Sequence, residues 1–531
     1  MKFKHFLPLL FLFACTVISA QVYDNHGYAE SCTSIMVGKA ASTDGSVMTA
    51  QTCDANYRTW VRIEPSKTYK PGDLEPVYWG VLHNEEPNDM RNVVKKGEIP
   101  APAKTYAFMN VAYPCMNEMQ LAMGETTTTG RRELVNTKGL FLIEELQRIG
   151  LQRCTTAREA IRLIGQLAQQ YGYGDYGECL TIADPQEVWH FEIYGSGPGE
   201  PSALWAAQRI PDDHIGVSAN IPRIGKIDFN DAKNFLYSSD LRERSQKLGY
   251  WDGKAPYVFW KVVSSGTKAY AIREFFILSS FAPSLNLNMD GEELPFSVKP
   301  DKKVSVQEVL AMYRQTYEGT PYDQTQNLKV TQTRRDPQGN EITETITSPA
   351  ASNFMSNDMR NLLNALKPNV VERQRTIAIV ACSYSQIVQL RSWLPNEVGG
   401  VAYFAFDNPA QSPRIPVYSG TTSLPASFAV CGQHRYRTDA ASWSFREANR
   451  IATVNWDRSR KVMEPEQMRL EQKLFAETPA LEARAQALIK EGKTEEAKKL
   501  LTSYTHDFAA LCMQKWEEMK ATLWTMYVRG F

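Results

Sequence analysis

The histidines and cysteines are the residues whose types and spacing would reveal metal or nucleophile chemistry. The sequence holds 7 histidines and 9 cysteines. No two histidines beyond residue 31 lie at metal-ligand spacing, and the chain has neither an HExxH helix motif nor a GxSxG elbow. The cysteines form no CxxC pair, which argues against a zinc ribbon or a dithiol redox site. These patterns predict a site without metal or cofactor. A papain-type Cys–His pair stays open but has no local sequence support.

The N-terminus has the pattern of an export signal. Lys2 and Lys4 precede a short apolar run, residues 6–13, and small residues close the segment at Ala20. This order is typical of a secretory signal peptide. We therefore expect residues 1–20 to be removed on export to the periplasm or the extracellular space. The run is too short to span a bilayer. Residues 12–15 loosely resemble a lipoprotein cleavage box, but its second residue is a bulky phenylalanine, so lipidation is the weaker alternative.

The segment after the signal, residues 21–31, is polar and without periodicity, and it ends directly before Cys32. A thiol becomes a good nucleophile only when a base removes its proton. A free α-amino group, with a pKa of about 7.7–8, can serve as that base when the cysteine is the first residue. We therefore predict that residues 21–31 are a propeptide, cut off by attack of the Cys32 thiol on the Ser31 carbonyl.

Composition limits the classes of partner. The chain has 59 basic and 59 acidic residues and is 43% hydrophobic. A neutral chain offers no broad basic field for nucleic acid or an anionic membrane, and no later segment reaches transmembrane length. We expect a small-molecule or peptide substrate, no nucleic acid and no membrane span. Self-association and disulfide pairing stay open.

Strand and helix signals alternate irregularly along the chain. Asp44-Gly45 predicts a turn between strands at residues 33–38 and 46–51, so Cys32 stands at the start of a hairpin. Residues 138–171 have a helical pattern, with Thr156 and Glu159 spaced as a capping box. Further strands are predicted at residues 179–183, 188–193, 376–381 and 401–406.

The C-terminal part has a helical pattern. Apolar positions at helical spacing run to about Gly492, and Thr494 is placed to cap a second long helix. We therefore predict a main domain over residues 32–460 and a helical hairpin over residues 461–531 that packs on it. Strands and helices without regular βαβ alternation favour an α+β fold over a doubly wound sheet.

Residues 32–54, CTSIMVGKAASTDGSVMTAQTCD, closely resemble the mature start of cysteine dipeptidases of the dipeptidase A type. That family belongs to the N-terminal-nucleophile hydrolases and is related to penicillin V acylases and bile salt hydrolases. Further similar stretches cover most of the mature chain: 117–118, 124–126, 178–192, 317–323 and 395–400. The resemblance implies a four-layer αββα fold and metal-free amide hydrolysis.

The same resemblance implies four catalytic residues. Cys32 is the nucleophile and its amine the base. Asp54 matches an acidic residue that would orient this amine or bind a substrate amine. Asn220 matches an asparagine that donates to the oxyanion, a contact that lowers the transition-state energy. Arg273 follows Asn220 at a separation similar to that of the matching asparagine and arginine in the acylases, and would place a charge near Cys32.

Four more residues are expected to contact substrate. Gln51 stands where the acylases usually carry arginine, so another group must stabilise the thiolate. Glu125 is a candidate for binding the substrate α-ammonium. Asn117 and Thr127 flank a region that supplies another oxyanion group in relatives, although strand packing is the better explanation of both residues.

The resulting hypothesis is an exported dipeptidase that acts through a thioester on Cys32. Two alternatives stay open. One keeps the fold and nucleophile but hydrolyses N-acyl amides such as penicillin V or conjugated bile acids. The other is a catalytically inactive binding protein that retains the fold.

Overall fold

The computed structural model describes residues 31–128, 130–266, 268, 270–291 and 293–530. The predicted signal peptide, residues 1–20, and the predicted propeptide, residues 21–31, lie outside these residues except for Ser31.

Nineteen strands lie within the described residues: β1 Ser31–Val37, β2 Val47–Asp54, β3 Arg62–Glu64, β4 Leu74–Trp79, β5 Val94–Pro100, β6 Phe108–Asn110, β7 Met116–Asn117, β8 Ala122–Thr127, β9 Gly177–Ala183, β10 Val188–Gly195, β11 Ala203–Ile210, β12 Ile215–Ser218, β13 Phe235–Tyr237, β14 Ser297–Val298, β15 Lys329–Arg335, β16 Glu341–Thr347, β17 Cys382–Leu390, β18 Gly400–Phe406 and β19 Ile415–Tyr418. The α-helices of the same part of the chain are α1 Ile143–Arg153, α2 Ala157–Tyr171, α3 Leu241–Lys247, α4 Phe259–Val263, α5 Ile272–Phe281, α6 Val306–Tyr313, α7 Asn357–Leu366, α8 Asn396–Gly399, α9 Ala441–Val454, α10 Trp456–Lys490 and α11 Thr494–Met526.

The strands form two large antiparallel sheets and two separate hairpins. A seven-stranded sheet has the order β14-β12-β1-β2-β17-β18-β19, and an eight-stranded sheet has the order β13-β11-β10-β9-β8-β7-β6-β3. Strands β4 and β5 pair with each other, as do β15 and β16. The predicted α+β class agrees with this mixture of antiparallel sheets and helices.

The two large sheets pack against each other through their central strands. Strands β1 and β2 contact β8, β9 and β10 across the interface. Helix α2 packs on β9, β10 and β11, whereas α5, α6, α9 and α11 contact strands of the seven-stranded sheet. Every residue of β2 and β10 is buried. These strands are therefore covered on both faces, which is what layered packing around a shared core requires.

The hairpin that begins at Cys32 forms as predicted. Strands β1 and β2 pair antiparallel with Ser34 opposite Gln51. The connection, residues 38–46, is longer than a two-residue turn, and within it the Asp44 carboxylate accepts the backbone N–H of Ser46 at 3.1 Å. Gly45 has a φ of 87°, a left-handed conformation that costs glycine nothing.

The predicted helical region, residues 138–171, is two helices, and the reason lies at Thr156. Its side chain and that of Glu159 form the predicted capping box at the start of α2. An N-cap residue has an extended backbone, here φ −127° and ψ 155°, so α1 cannot continue through it.

The strand predicted at residues 376–381 was wrong. These residues are largely buried, but β17 begins only at Cys382. The N–H of Ala378 bonds to the Gln315 carbonyl at 3.0 Å, and the N–H of Cys382 closes a turn on Ile379 at 3.3 Å. An apolar run predicts burial more firmly than it predicts strand.

The C-terminal residues are helical as expected. Helix α10 ends at Lys490, just before Gly492, and α11 begins at Thr494. The prediction that Thr494 caps α11 was wrong, because Lys493 is the N-cap residue and no side chain caps this helix end. Helices α10 and α11 pack on each other, and α11 also packs on α9 and β19. Among the described residues, none of the helices combines the length and the apolar character needed to cross a membrane. All 8 described cysteines are free and buried.

Candidate active site

Cys32 lies near the start of β1, directly opposite Cys53 of β2. Its side chain lies on the same face of the strand as that of Ser34, two residues later. The Ser34 hydroxyl donates to the Glu125 carbonyl of the facing sheet at 3.3 Å. Residues two apart on a strand share a face, so the Cys32 thiol points into the space between the sheets. The residue is fully buried.

The backbone of Cys32 is held by two remote side chains. Its N–H donates to Asn220 Oδ1 at 2.9 Å, and its carbonyl accepts from a guanidinium nitrogen of Arg273 at 2.5 Å. Both polar atoms therefore point away from β2, which makes Cys32 and Cys53 a non-hydrogen-bonded pair with closely spaced side chains.

Arg273 connects the neighbours of Cys32 from the first turn of α5. Besides the Cys32 carbonyl, it donates to Thr33 Oγ1 at 3.0 Å, the Ala219 carbonyl at 2.9 Å and Asn220 Oδ1 at 2.7 Å. Burial, followed by the charge of Arg375, lowers the pKa of Arg273 to about 10. The guanidinium thus stays charged at neutral pH.

Asn220 follows β12 with a φ of 69°. Asparagine tolerates this left-handed conformation better than most residues with a β-carbon. Its Nδ2 donates to the Thr127 carbonyl at 2.6 Å while its Oδ1 accepts from Cys32 and Arg273. The structure brings the predicted oxyanion donor to Cys32. In this arrangement its amide N–H binds β8 and its oxygen binds the backbone N–H of Cys32.

Asp54 lies opposite Ser31 at the end of β2. Its Oδ2 accepts from Thr52 Oγ1 at 2.8 Å and from Arg375 at 2.7 Å, and Arg375 also donates to the Ser31 hydroxyl at 2.7 Å. The second oxygen, Oδ1, is buried without a hydrogen-bond partner among the described residues. An acid with one free oxygen therefore lies beside the bond that precedes Cys32.

Three of the expected substrate-binding residues meet at the thiol. The Cys32 sulfur lies 3.6 Å from Glu125 Oε2, the same oxygen that accepts Gln51 Nε2 at 3.1 Å. Thr127 Oγ1 donates to Glu125 Oε1 at 3.2 Å. Burial raises the pKa of the Cys32 thiol well above its usual value, and Cys53, Glu125 and Asp54 raise it further. In this arrangement the surroundings of Cys32 favour the neutral thiol over the thiolate.

Asn117 lies apart from this cluster, beside the opposite end of β8. Its Nδ2 donates to the carbonyls of Leu151 and Cys154 at 2.8 and 2.9 Å. Its Oδ1 accepts the N–H groups of Met119 and Leu121 at 3.0 and 2.9 Å. These four bonds use both polar atoms of the amide, so turn and helix packing explains Asn117 and no contact joins it to Cys32.

Two charged residues of the site were missed by the sequence analysis. Arg375 reaches Asp54 and Ser31 from a loop that no motif marks. Glu178, a buried acid on β9, interacts with Glu125, and burial followed by this neighbour raises its pKa well above the usual range. The signal for Glu178 is an acidic residue directly before the apolar run of a strand, because such a residue is rarely buried without a role.

Cys179, His190 and Glu192 form one group of potential metal ligands within the described residues, and all three are buried. His190 Nε2 lies 3.6 Å from the Cys179 sulfur and 2.8 Å from Glu192 Oε1. The same Glu192 oxygen accepts the N–H groups of Arg223 and Ile224 at 2.5 and 2.9 Å. These bonds fix the segment that follows Asn220. They explain why Glu192 is buried here without invoking a bound metal ion.

A cavity of about 380 Å³ lies among residues that follow β2 and residues of α1. Arg58, Trp60 and Pro114 line it, together with Glu144 from the first turn of α1. Burial raises the pKa of Glu144 to about 8, and its Oε1 has no hydrogen-bond partner among the described residues. We therefore expect Glu144 to be neutral at pH 7.

We expect Glu144→Gln to change how stability depends on pH. A carboxyl whose folded-state pKa is about 8 stabilises the fold fully below its unfolded value, about 4.3. This contribution is lost as pH rises through 8. The free energy of unfolding of the variant, relative to wild type, should rise by a few kcal/mol from pH 5 to pH 9. Urea unfolding at pH 5, 7 and 9 measures the difference.

Glu495→Gln, on the exposed surface of α11, is the matched control for the loss of a carboxylate. If both variants follow the wild-type curve in parallel, Glu144 is ionised in the folded protein and the expectation is wrong.

Comparison with known proteins shows which family the chain resembles. The model of peptidase family C69 matches residues 31–468. A probable dipeptidase of Latilactobacillus sakei is 24% identical over 420 residues, which cover 75% of this chain and 76% of that protein. A probable dipeptidase of Salmonella dublin is 26% identical over 419 residues, covering 74% and 82%. Dipeptidase A of Lactobacillus helveticus is 23% identical over 410 residues, covering 75% and 77%.

The fold packs two antiparallel sheets and places a thiol at the start of a central strand. A peptidase family matches most of the chain. Together these findings define a peptidase. The chain belongs to peptidase family C69.

Proposed function

We propose that this protein is an exported dipeptidase whose nucleophile is the Cys32 thiol, exposed by autocatalytic cleavage of the Ser31–Cys32 bond. One observation carries the proposal. Asn220 and Arg273 hold the backbone N–H and carbonyl of Cys32, and Arg375 holds the Ser31 hydroxyl. A bond that is fixed from both sides is well placed for attack, because near-attack geometry lowers a barrier substantially.

The layering supports a finer assignment of the fold. Two face-to-face antiparallel sheets with helices packed on each are what a four-layer αββα N-terminal-nucleophile hydrolase requires. Helices α10 and α11 form a C-terminal extension on this core. In such a fold the nucleophile lies at the start of a central strand, which is the place of Cys32 on β1.

Processing then proceeds as an acyl shift. The Cys32 sulfur attacks the Ser31 carbonyl carbon, and the C–N bond breaks as the Cys32 nitrogen takes up the thiol proton. Water hydrolyses the resulting thioester, which releases a segment ending at Ser31 and restores the thiol. The new α-amino group remains beside Asn220 Oδ1, the atom that accepts its N–H in the structure. Asp54, opposite the neighbouring Ser31, has a free Oδ1 that can receive a second N–H.

Hydrolysis of a dipeptide repeats this chemistry on a second carbonyl. The α-amino group of Cys32 takes the thiol proton and the sulfur attacks the peptide carbonyl. Asn220 donates to the oxyanion, and Arg273 keeps Asn220 and the Cys32 carbonyl in place. The leaving amine takes the proton, the C-terminal residue departs, and water frees the acylated first residue from the sulfur.

Turnover of dipeptides compared with N-acyl amides tests the substrate class. We expect the processed protein to hydrolyse unmodified dipeptides and to leave penicillin V and a conjugated bile acid intact, as measured by chromatography of the products. Turnover of the N-acyl amides alone would show the alternative amidase. A protein that cleaves none of them, and whose Cys32 resists iodoacetamide, would be the binding protein instead.

A further inference from the structure

Two buried glutamates lie next to the Cys32 thiol on the larger sheet. Glu125 is on β8 and Glu178 on the adjacent strand β9, where Glu178 pairs with Thr127, two residues from Glu125. Alternate residues of a strand share a face, so the two carboxyl groups lie on the same side. Glu178 is 4% exposed, and its Oε2 has no hydrogen-bond partner among the described residues.

Two buried acids on the same face of adjacent strands favour protonation of one of them, because two like charges away from water repel strongly. Burial and then the charge and hydrogen bond of Glu125 raise the pKa of Glu178 well above the usual range. Gln51, Thr127 and the Cys32 thiol, all neutral groups, donate toward Glu125. A cation that reached this pair would displace the shared proton and be bound by both carboxylates.

We propose that Glu125 and Glu178 bind the substrate α-ammonium, and that this ammonium supplies the positive charge beside the Cys32 sulfur that Gln51 does not provide. The inference rests on the proposed function and extends it to Glu178 and to activation of the thiol. The substrate itself completes the site, so peptides with a free N-terminus are selected by charge.

The distances support this arrangement. In a peptide the α-nitrogen lies about 2.5 Å from the carbonyl carbon of the same residue. The attacking sulfur approaches that carbon to about 3–3.5 Å, and a charge-assisted N–H···O bond is about 2.7–2.9 Å long. A carboxylate oxygen 3.6 Å from the Cys32 sulfur, as Glu125 Oε2 is, satisfies all three lengths together.

The binding step balances in protons. The shared proton leaves the carboxyl pair for solvent as the ammonium enters, so one cation replaces another. The net charge of the group is therefore unchanged, but the ammonium lies beside the Cys32 sulfur, where its positive charge offsets the Glu125 carboxylate that disfavours the thiolate. The thiol can then give its proton to its own amine.

Three substrates and one variant test the proposal: alanyl-alanine, its C-terminal amide and its N-acetyl derivative, each with wild type and with Glu178→Gln. For wild type we expect kcat/KM to fall about 100-fold or more on N-acetylation, since unpaired buried polar groups reject such analogues. Amidation of the C-terminus should change kcat/KM less than N-acetylation does. Glu178→Gln should lower kcat/KM for alanyl-alanine roughly 10–100-fold and leave that of the N-acetyl derivative unchanged.

The pH profile separates this role from a structural one. Removing one carboxyl relieves the repulsion on the other and lowers its pKa. The acid limb of kcat/KM for alanyl-alanine should therefore move to lower pH in Glu178→Gln. Glu98→Gln, at an exposed position of β5, serves as the control and should keep the wild-type profile.

Equal turnover of alanyl-alanine and its N-acetyl derivative by wild type would overturn the inference while leaving dipeptide hydrolysis intact. The inference would also be overturned if a folded Glu178→Gln variant kept the wild-type ratio of kcat/KM for alanyl-alanine to kcat/KM for the N-acetyl derivative. If Glu178→Gln does not fold, the wild-type comparison alone decides. Failure of the proposed function gives a different result, in which neither alanyl-alanine nor its amide is cleaved at all.

Discussion

Replacing Cys32 by alanine should abolish both maturation and dipeptide hydrolysis. In the proposed mechanism the sulfur forms the thioester in each reaction, and nucleophile deletions reduce kcat by roughly 10⁴–10⁶-fold. Export would still remove the signal peptide. The exported Cys32→Ala protein should therefore begin near Gln21 and be heavier than wild type, which should begin at Cys32. Intact mass, N-terminal sequencing and kcat/KM for alanyl-alanine measure these outcomes.

Cys512→Ala is the matched control, because Cys512 is a buried, free thiol on α11. We expect it to mature and to hydrolyse dipeptides as wild type does. If Cys32→Ala retains wild-type turnover, the reaction does not pass through this sulfur. If wild type and Cys32→Ala both begin near Gln21, the amine of Cys32 is still in a peptide bond and self-activation is excluded.

Asn220→Gly should lower kcat about 10²–10³-fold, the effect seen when one oxyanion donor is removed. It should also slow maturation, because Asn220 Oδ1 accepts the Cys32 N–H at 2.9 Å. Glycine adopts the φ of 69° at this position without strain. The loss of kcat therefore reflects the missing side chain alone. Steady-state kinetics measures kcat, and a thermal unfolding scan checks that the fold is intact.

Asn220→Ala separates the side chain from the backbone. It should lose activity to the same extent as Asn220→Gly but also lose about 1 kcal/mol of stability, the penalty for a β-carbon in the left-handed region. Asn286→Gly, at an exposed asparagine with a φ of 46°, should keep full activity. Wild-type kcat in Asn220→Gly would show that another group binds the oxyanion.

Local sequence patterns predicted the elements that depend on neighbouring residues. The capping box at Thr156 forms because both partners lie within one turn of helix. The β1–β2 hairpin forms because its strands are joined by a short loop containing Asp44-Gly45. The strand predicted at residues 376–381 failed because its backbone partners are a remote carbonyl and a turn, which periodicity does not encode.

The sequence by itself determined which residue we propose as the nucleophile: one cysteine at the start of a strand, directly after a polar segment that follows a predicted signal peptide. It also indicated Asp54 and Gln51, which are carried by the other strand of the same hairpin. Their place relative to Cys32 follows from the strand register, in which Ser34 lies opposite Gln51 and Ser31 lies opposite Asp54.

Only the tertiary structure decided how remote groups are arranged around Cys32. Asn220 and Arg273, which the resemblance implied, bond to its backbone from a strand end and a helix. Arg375, which the sequence analysis missed, contacts the preceding Ser31 from a loop, and Glu178 lies on the strand adjacent to Glu125. The tertiary structure also separated Asn117 from the site, although Asn117 and Glu125 are close in sequence. Contacts of this kind depend on how two sheets pack, and packing is set by the summed burial of many side chains rather than by any local spacing.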